Sequence, residues 1–338
     1  MPVSDSRISN GTEKITRRTA LAGLGSVGVV SLAGCTGDEG EYPSGDITVR
    51  IVGSEGGGTD AYARNIGQVQ EEILDTNFRY EPGFAEVIRP ITEAYNEDSD
   101  GYFFLSALMP SFQNAFLIHE PDDMEIEDFV PICSVAQTPL ACYVNENLGI
   151  SDLSDLLERY RDGELTAIGS QGAHTAVLLH YLKQNEEYDW QWENIVEYGG
   201  ASPSMQAVAQ EEVPAAFTMD GSGAAIIESE EIEVEAIAIM ASGGSNILED
   251  VPTVVDEGYP DIDFIAPQNR AQWLPPGTPT DIRDTLADSF EEAIQSDQVQ
   301  SWSEESGFPV EFYDHEEVMD ALEEYVNTIP EIVDFSEI

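Results

Sequence analysis

The stretch ITVRIVGSEGGGTDAYARNIGQV, residues 47–69, decides how the chain is read. ITVRIV (47–52) is a short β-rich run. After the glycines, Tyr62, Ile66, Val69 and Ile73 recur at steps of 4, 3 and 4, the spacing of an amphipathic helix. Gly53-Ser54-Glu55-Gly56-Gly57-Gly58 joins the two, and Thr59 or Asp60 is placed to cap the helix. Three consecutive glycines let the backbone approach a ligand closely, and the helix start offers unpaired N–H groups and a partial positive charge. The ending Gly-Lys-[Ser/Thr] of a phosphate-binding Walker loop is absent. Ser54, Glu55, Gly56, Gly57, Gly58, Thr59 and Asp60 therefore form either an anion site built without a cationic side chain or a plain glycine-rich βα turn.

Outward from this unit, strands and helices alternate. GYFFLSAL (101–108) reads as a strand, and FVPICSV and PLACYVN as a longer extended region. ELTAIGS (164–170) runs into a helix with Val177, Leu178, Tyr181 and Leu182 on one side. Ser202-Pro203 starts another helix, with proline at its favoured first position. VPAAFT and EAIAIMA are short apolar strands. Ile282, Leu286, Phe290 and Ile294 form one late helix stripe, and Val318, Leu322, Tyr325 and Ile329 another. The alternation predicts an α/β architecture with mostly parallel sheets, and residues 47–338 are too many for one ordinary core, so two lobes are expected. A second loop repeats the logic of the first: Gly169-Ser170-Gln171-Gly172-Ala173 links strand to helix, with His174 in the first turn, either donating to an anion or serving as a surface or capping histidine.

The head of the chain is an address. Arg17-Arg18 precede an apolar run, Ala20 to Ala33, about as long as a signal-peptide core and short of a membrane span. Gly23-Leu24-Gly25-Ser26-Val27-Gly28 matches a dinucleotide loop in letters only, because no strand precedes it. The twin arginines read as a twin-arginine export signal. Leu32-Ala33-Gly34-Cys35 resembles a lipobox, so residues 1–34 are expected to be a leader, Cys35 the lipid anchor, and 35–46 an acidic tether.

The whole chain carries 13 Lys+Arg against 66 Asp+Glu, a formal charge of −53. Losing the leader removes Arg7, Lys14, Arg17 and Arg18 but only Asp5 and Glu13, so the mature chain is more acidic still. Hydrophobic residues at 41% and four tryptophans argue for a real core. Self-repulsion of this size is screened in molar salt, which fits a halophilic cell. Nucleic acid and anionic membranes are poor partners for such a surface, so no nucleic acid is expected and the membrane only through the lipid anchor. Cys133 and Cys142 are permitted a disulfide outside the cytoplasm, but two buried free thiols is the preferred reading. His119, His174, His180 and His315 are scattered, so no metal site and no cofactor is expected. No Gly-x-Ser-x-Gly elbow occurs in the mature chain, and with this many carboxylates no acid pair stands out, so no catalytic residue is assigned.

At this point the chain resembles the extracytoplasmic receptors of tripartite tricarboxylate transporters, related to the Bordetella uptake-gene receptors, in the form of a haloarchaeal-like lipoprotein. The likeness runs through Gly53 to Asp60 with Ala63-Arg64, and through Asp100-Gly101-Tyr102. It continues at Val196-Glu197-Tyr198-Gly199-Gly200, at Asp250-Val251-Pro252-Thr253-Val254-Val255-Asp256-Glu257-Gly258, and at Pro275-Pro276-Gly277-Thr278-Pro279. The resemblance implies a two-lobed periplasmic-binding-protein (type 2) fold with a hinge and an interlobe cleft. It implies lobe 1 from 47–140 plus 246–338 and lobe 2 from 141–245. Ser54 to Asp60 and Ser170, Gly172, Ala173 and His174 would face the ligand, joined by Ser106 and Asp220.

The function implied is a lipid-anchored, non-catalytic, monomeric receptor that holds a small organic acid and delivers it to a large and a small integral permease subunit. The family's first-loop proline is Glu55 here, its turn lysine is Gly199, and the Gly-Gly stretch after Pro82-Gly83 is missing. These departures keep open a neutral or cationic ligand, or one bridged by a cation at Glu55. A receptor for another transporter type, a sensing partner for a membrane kinase, and a secreted hydrolase or lyase are the rival functions.

Overall fold

The computed structural model describes residues 42–53, 55–83, 87–188, 190–230 and 232–335. The leader, Cys35, most of the expected tether and Ser54 lie outside the described residues.

Among the described residues, ten strands form two five-stranded sheets. The first sheet holds β1 (Ile47–Val52), β2 (Phe78–Gly83), β3 (Phe103–Met109), β4 (Val130–Thr138) and β10 (Gln268–Leu274). The second holds β5 (Leu140–Asn145), β6 (Ala167–Gln171), β7 (Asn194–Tyr198), β8 (Ala215–Met219) and β9 (Val234–Ile239). Their orders are β2-β1-β3-β10-β4 and β7-β6-β8-β5-β9, one pattern used twice. In each sheet the fourth strand of the order runs antiparallel to its neighbours and the rest run parallel. The alternation expected from sequence is therefore present, with one reversed strand per sheet.

The helices are α1 (Gly58–Leu74), α2 (Ile88–Tyr95), α3 (Ser111–His119), α4 (Leu153–Arg161), α5 (Ala173–Gln184), α6 (Ala201–Ala209), α7 (Asp220–Glu230), α8 (Thr280–Gln295), α9 (Asp297–Ser306) and α10 (His315–Ile332). They cover both faces of both sheets, which is why FFLSALM and LACYVN read as nearly unbroken apolar runs. On the first sheet, Tyr62 and Ile66 of α1 pack with Leu286 and Phe290 of α8 over one face. Phe112 of α3 stacks on Trp273 of β10 over the other, 4.7 Å between ring centroids. On the second sheet, the stripe Val177, Leu178, Tyr181 and Leu182 of α5 is fully enclosed, as its spacing predicts.

Two chain crossings join the lobes at the sheets. Thr138-Pro139-Leu140 carries β4 directly into β5, and Pro267 precedes β10 on the return. A third tie is α10, opened by a capping box in which Asp314 and Glu317 exchange side-chain-to-backbone bonds. Val318 and Leu322 pack in the first-lobe core, whereas Tyr325 and Ile329, one turn and more along, pack in the second. Tyr325 donates from its hydroxyl to Asn114 of α3 at this seam.

Several sequence expectations need correction. The expected return to lobe 1 at residue 246 comes too early: Val254, Ile262, Ile265 and Ala266 lie in the second-lobe core, and Thr253 bridges to Ile239 of β9. The cause is burial, since Val254, Ile262, Ile265 and Ala266 pack beside residues of α4 and α5 in the second-lobe core. The expected tether reaches too far as well. Tyr42 donates to the carbonyl of Gly101 (2.7 Å) and packs edge-to-face on Tyr102, so residues 42–46 belong to the first lobe. Pro203 is the third residue of α6, because Gly200 forms the N-cap. The preferred reading of the cysteines stands, since Cys133 and Cys142 are free thiols, both fully buried, one on each sheet.

Candidate functional site

Both glycine loops stand at the carboxyl ends of parallel strands and open a helix, and each contains one left-handed glycine, one position before the N-cap in the first and at the N-cap in the second. In the first, Gly56 has φ +76°, a left-handed conformation that glycine adopts without strain. Gly57 is then the N-cap of α1, with no side-chain bond to it. Thr59 and Asp60 were expected to cap, but the helix starts one residue before Thr59. Asp60, buried in the first turn, instead reaches backward: one carboxylate oxygen accepts from the Gly56 N–H (2.9 Å) and the other from Arg64 Nε (2.9 Å). That hydrogen bond holds the Arg64 guanidinium above its ordinary range. Glu55 is exposed at the loop.

In the second loop, Gly172 has φ +79° and is the N-cap of α5, again without a side-chain bond. Ser170 donates from Oγ to the Gly172 carbonyl (2.8 Å), so its hydroxyl is spent on the loop's own shape. His174 sits in the first turn of α5 with Nε2 buried and without a hydrogen-bond partner. Burial pushes its pKa down to about 4, so the imidazole is a neutral donor or acceptor and not a cation. Among the described residues no side-chain acceptor closes either helix start, which leaves first-turn N–H groups for an outside one.

Asp220 sits where β8 passes into α7, at 3% exposure. Its Oδ1 accepts from the Gly221 N–H (2.6 Å) and its Oδ2 from Ser245 Oγ (2.5 Å), while its own N–H donates to the Pro139 carbonyl at the crossing (3.1 Å). Burial raises the Asp220 carboxyl, and Ser245, the Gly221 N–H and Arg270 oppose that rise. Tyr143 donates to the Asp220 carbonyl from beneath, 2.7 Å away. A Cβ on Gly223 would lie 2.2 Å from the Tyr143 ring, which explains the glycine spacing of MDGSG. A polar cavity of about 250 Å³ opens beside Asp220, lined in part by Gln137, Ser245, Asp263 and Tyr313.

Ser106 lies on a strand and not in a loop. It is buried in the middle of β3, opposite Ile51 and Gln272.

Arg270, Tyr62 and Thr138 were not singled out from sequence. Arg270 sits on β10 beneath the first turn of α1, 5% exposed. Its Nη1 donates to Thr138 Oγ1 (2.8 Å), and its guanidinium carbon lies 4.5 Å from the centre of the Tyr62 ring. A Cβ on Gly58 would lie 3.4 Å from its Nη2. Burial lowers its pKa, opposed by Tyr62 and Asp220. One signal was available: in QNRAQWL the polar Arg270 and Gln272 alternate with Ala271 and Trp273 only from Arg270 onward, a short period of two.

The sequence profile of the tripartite tricarboxylate transporter family receptor (TctC) matches residues 81–336, more than half of the chain. Protein BugT of Bordetella pertussis is 28% identical over 275 residues, 76% of this chain and 79% of that protein. Among solved structures, a TctC solute binding protein from Polaromonas superposes with a TM-score of 0.72 at 17% identity, over 86% of this chain and 100% of that one. MatC from Rhodopseudomonas palustris, solved with bound malate, superposes with a TM-score of 0.65 at 19% identity, over 87% and 100%.

Proposed function

The chain belongs to the tripartite tricarboxylate transporter receptor family, and from that premise we propose that it captures a small di- or tricarboxylate between its lobes for a membrane permease. It is a solute-binding protein and not an enzyme, as its family and its structural relatives are. The observation that carries the ligand class is the pair of helix starts, α1 and α5, each entered through a left-handed glycine and each without a side-chain cap. Such ends hold carboxylates through backbone N–H groups and the helix dipole. The malate bound to MatC supports the same class.

In this reading the ligand bridges the lobes, the crossings at Pro139 and Pro267 act as the hinge, and α10 bends or slides where it passes between the two cores. The closed form binds the ligand more tightly than the open form, and that difference is the signal offered to the permease. We place the protein outside the cell membrane, exported through the twin-arginine signal and anchored at Cys35. Among the described residues no helix is long and apolar enough to cross a membrane.

Calorimetric titration in molar KCl with mono-, di- and tricarboxylates tests the reading. One-to-one binding without turnover, lost in Gly57→Leu, is expected. Silence toward every acid, or conversion of any of them, would sink it.

A further inference from the structure

Nine lysine and arginine side chains lie between residues 42 and 335, and carboxylates hold most of them. Arg50, Arg64, Arg79, Arg89, Arg159 and Arg283 each form an ion pair with Asp or Glu. Arg161 is exposed and Lys183 partly so. Arg270 differs: it is 5% exposed, and among the described residues no carboxylate stands within ion-pair distance. Its Nε is buried without an acceptor, and its Nη1 is satisfied only by a neutral hydroxyl, that of Thr138.

A guanidinium taken out of water costs several kcal/mol unless an anion and hydrogen bonds offset the loss. Stacking on Tyr62 and the field of Asp220 offset part of it. In a chain where Asp and Glu outnumber Lys and Arg 66 to 13, leaving the most buried arginine unpaired reserves it for another anion. Its position says where that anion goes, because Nη2 lies against Gly58 at the uncapped start of α1.

We propose that Arg270 is the counter-ion of one ligand carboxylate, seated between its free N–H groups and the first turn of α1. This rests on the receptor reading and adds a rule of specificity to it. The end of the ligand at the first lobe must be a full anion. The other end meets α5, where the backbone N–H groups and a neutral His174 accept either a carboxylate or an uncharged polar group.

The test takes whichever of succinate, malate, glutarate and adipate binds the protein most tightly in molar KCl, together with its monoamide and diamide. In the wild type the monoamide is expected within a few-fold of the diacid, because it can turn its remaining carboxylate to Arg270. The diamide is expected about 100-fold weaker, as when a buried charge loses its partner. Arg270→Gln is expected to weaken the diacid by a similar factor and to bring diacid and diamide together, with Thr138→Val within a few-fold of wild type. Arg270→Met, unbranched and apolar, is expected to unfold at the same denaturant concentration or a higher one while losing the ligand. Diacid binding to Arg270→Gln within threefold of wild type overturns the proposal and leaves the receptor reading intact. So does a wild type that holds diamide as tightly as diacid, a result that needs no variant to fold. If neither these four nor any other mono-, di- or tricarboxylate binds the wild type, the receptor reading fails and this proposal falls with it.

Discussion

In the first lobe β1 passes through Gly56 into α1, and in the second β6 passes through Gly172 into α5; the two glycines differ by only three degrees in φ. Both helices begin on a glycine N-cap that no side chain bonds. What surrounds these loops is unlike. The first has Asp60 and Arg64 in its own turn and Arg270 beneath it. The second has the Ser170 hydroxyl folded onto its own backbone and a histidine kept neutral by burial. A glycine-entered helix start therefore serves twice, with its left-handed residue one position earlier in the first loop, and charge is supplied to only one of the two. Backbone N–H groups give each loop its capacity for an acidic oxygen. The arginine decides which end of the ligand has to be ionised.

The equivalence of the loops can be broken first with glycine substitutions. Gly172→Val and Gly56→Val each force a branched side chain into the left-handed region, and each is expected to cost about 1–3 kcal/mol in urea unfolding. A loss in one variant only would show that the matching φ values do not reflect matching constraint. The pH response of the second loop comes next. His174 has a pKa of about 4 in the folded protein against 6.5 as a free side chain, so between those values the unfolded chain binds more protons. Its contribution to stability is complete above pH 6.5 and declines as pH falls toward 4. His174→Gln should flatten the fall in stability over that window by on the order of 3 kcal/mol, measured against wild type in the same salt. A smaller effect is expected from Asp60→Ala, about 1 kcal/mol, since it removes the bond to Gly56 and leaves a half-exposed Arg64 unpaired. Glu55→Gln should move unfolding by less than about 0.5 kcal/mol, because its side chain is exposed. Its effect on carboxylate affinity would then report charge alone.

Much of the scaffold was legible before any coordinates. The strand ITVRIV coincides with β1, and Val318, Leu322, Tyr325 and Ile329 are all buried along α10. These elements carry their own signal, since a helix or strand with one partner writes its period into its apolar positions. Both glycine loops were found for a related reason: the backbone conformation they need is one that few residues other than glycine adopt. Asp250 to Gly258 was legible as a motif but not in its placement. Its Val254 packs in the second-lobe core, a partnership that depends on chain far away in sequence.

The sequence by itself determined the α/β alternation, the two loops and the family, because each rests on local spacing of residue types. Tertiary structure alone decided which lobe the 246–267 segment joins, which helix spans both cores, and where the buried charge sits. β10 shows the physical reason. It lies inside the first sheet between β3 and β4, yet Gln268, Arg270 and Gln272 are polar, so hydropathy hides it. Burial is a property of neighbours, and the neighbours that enclose Arg270, Gly58 and Tyr62 from α1 and Thr138 from β4, lie 130 residues and more away in the chain.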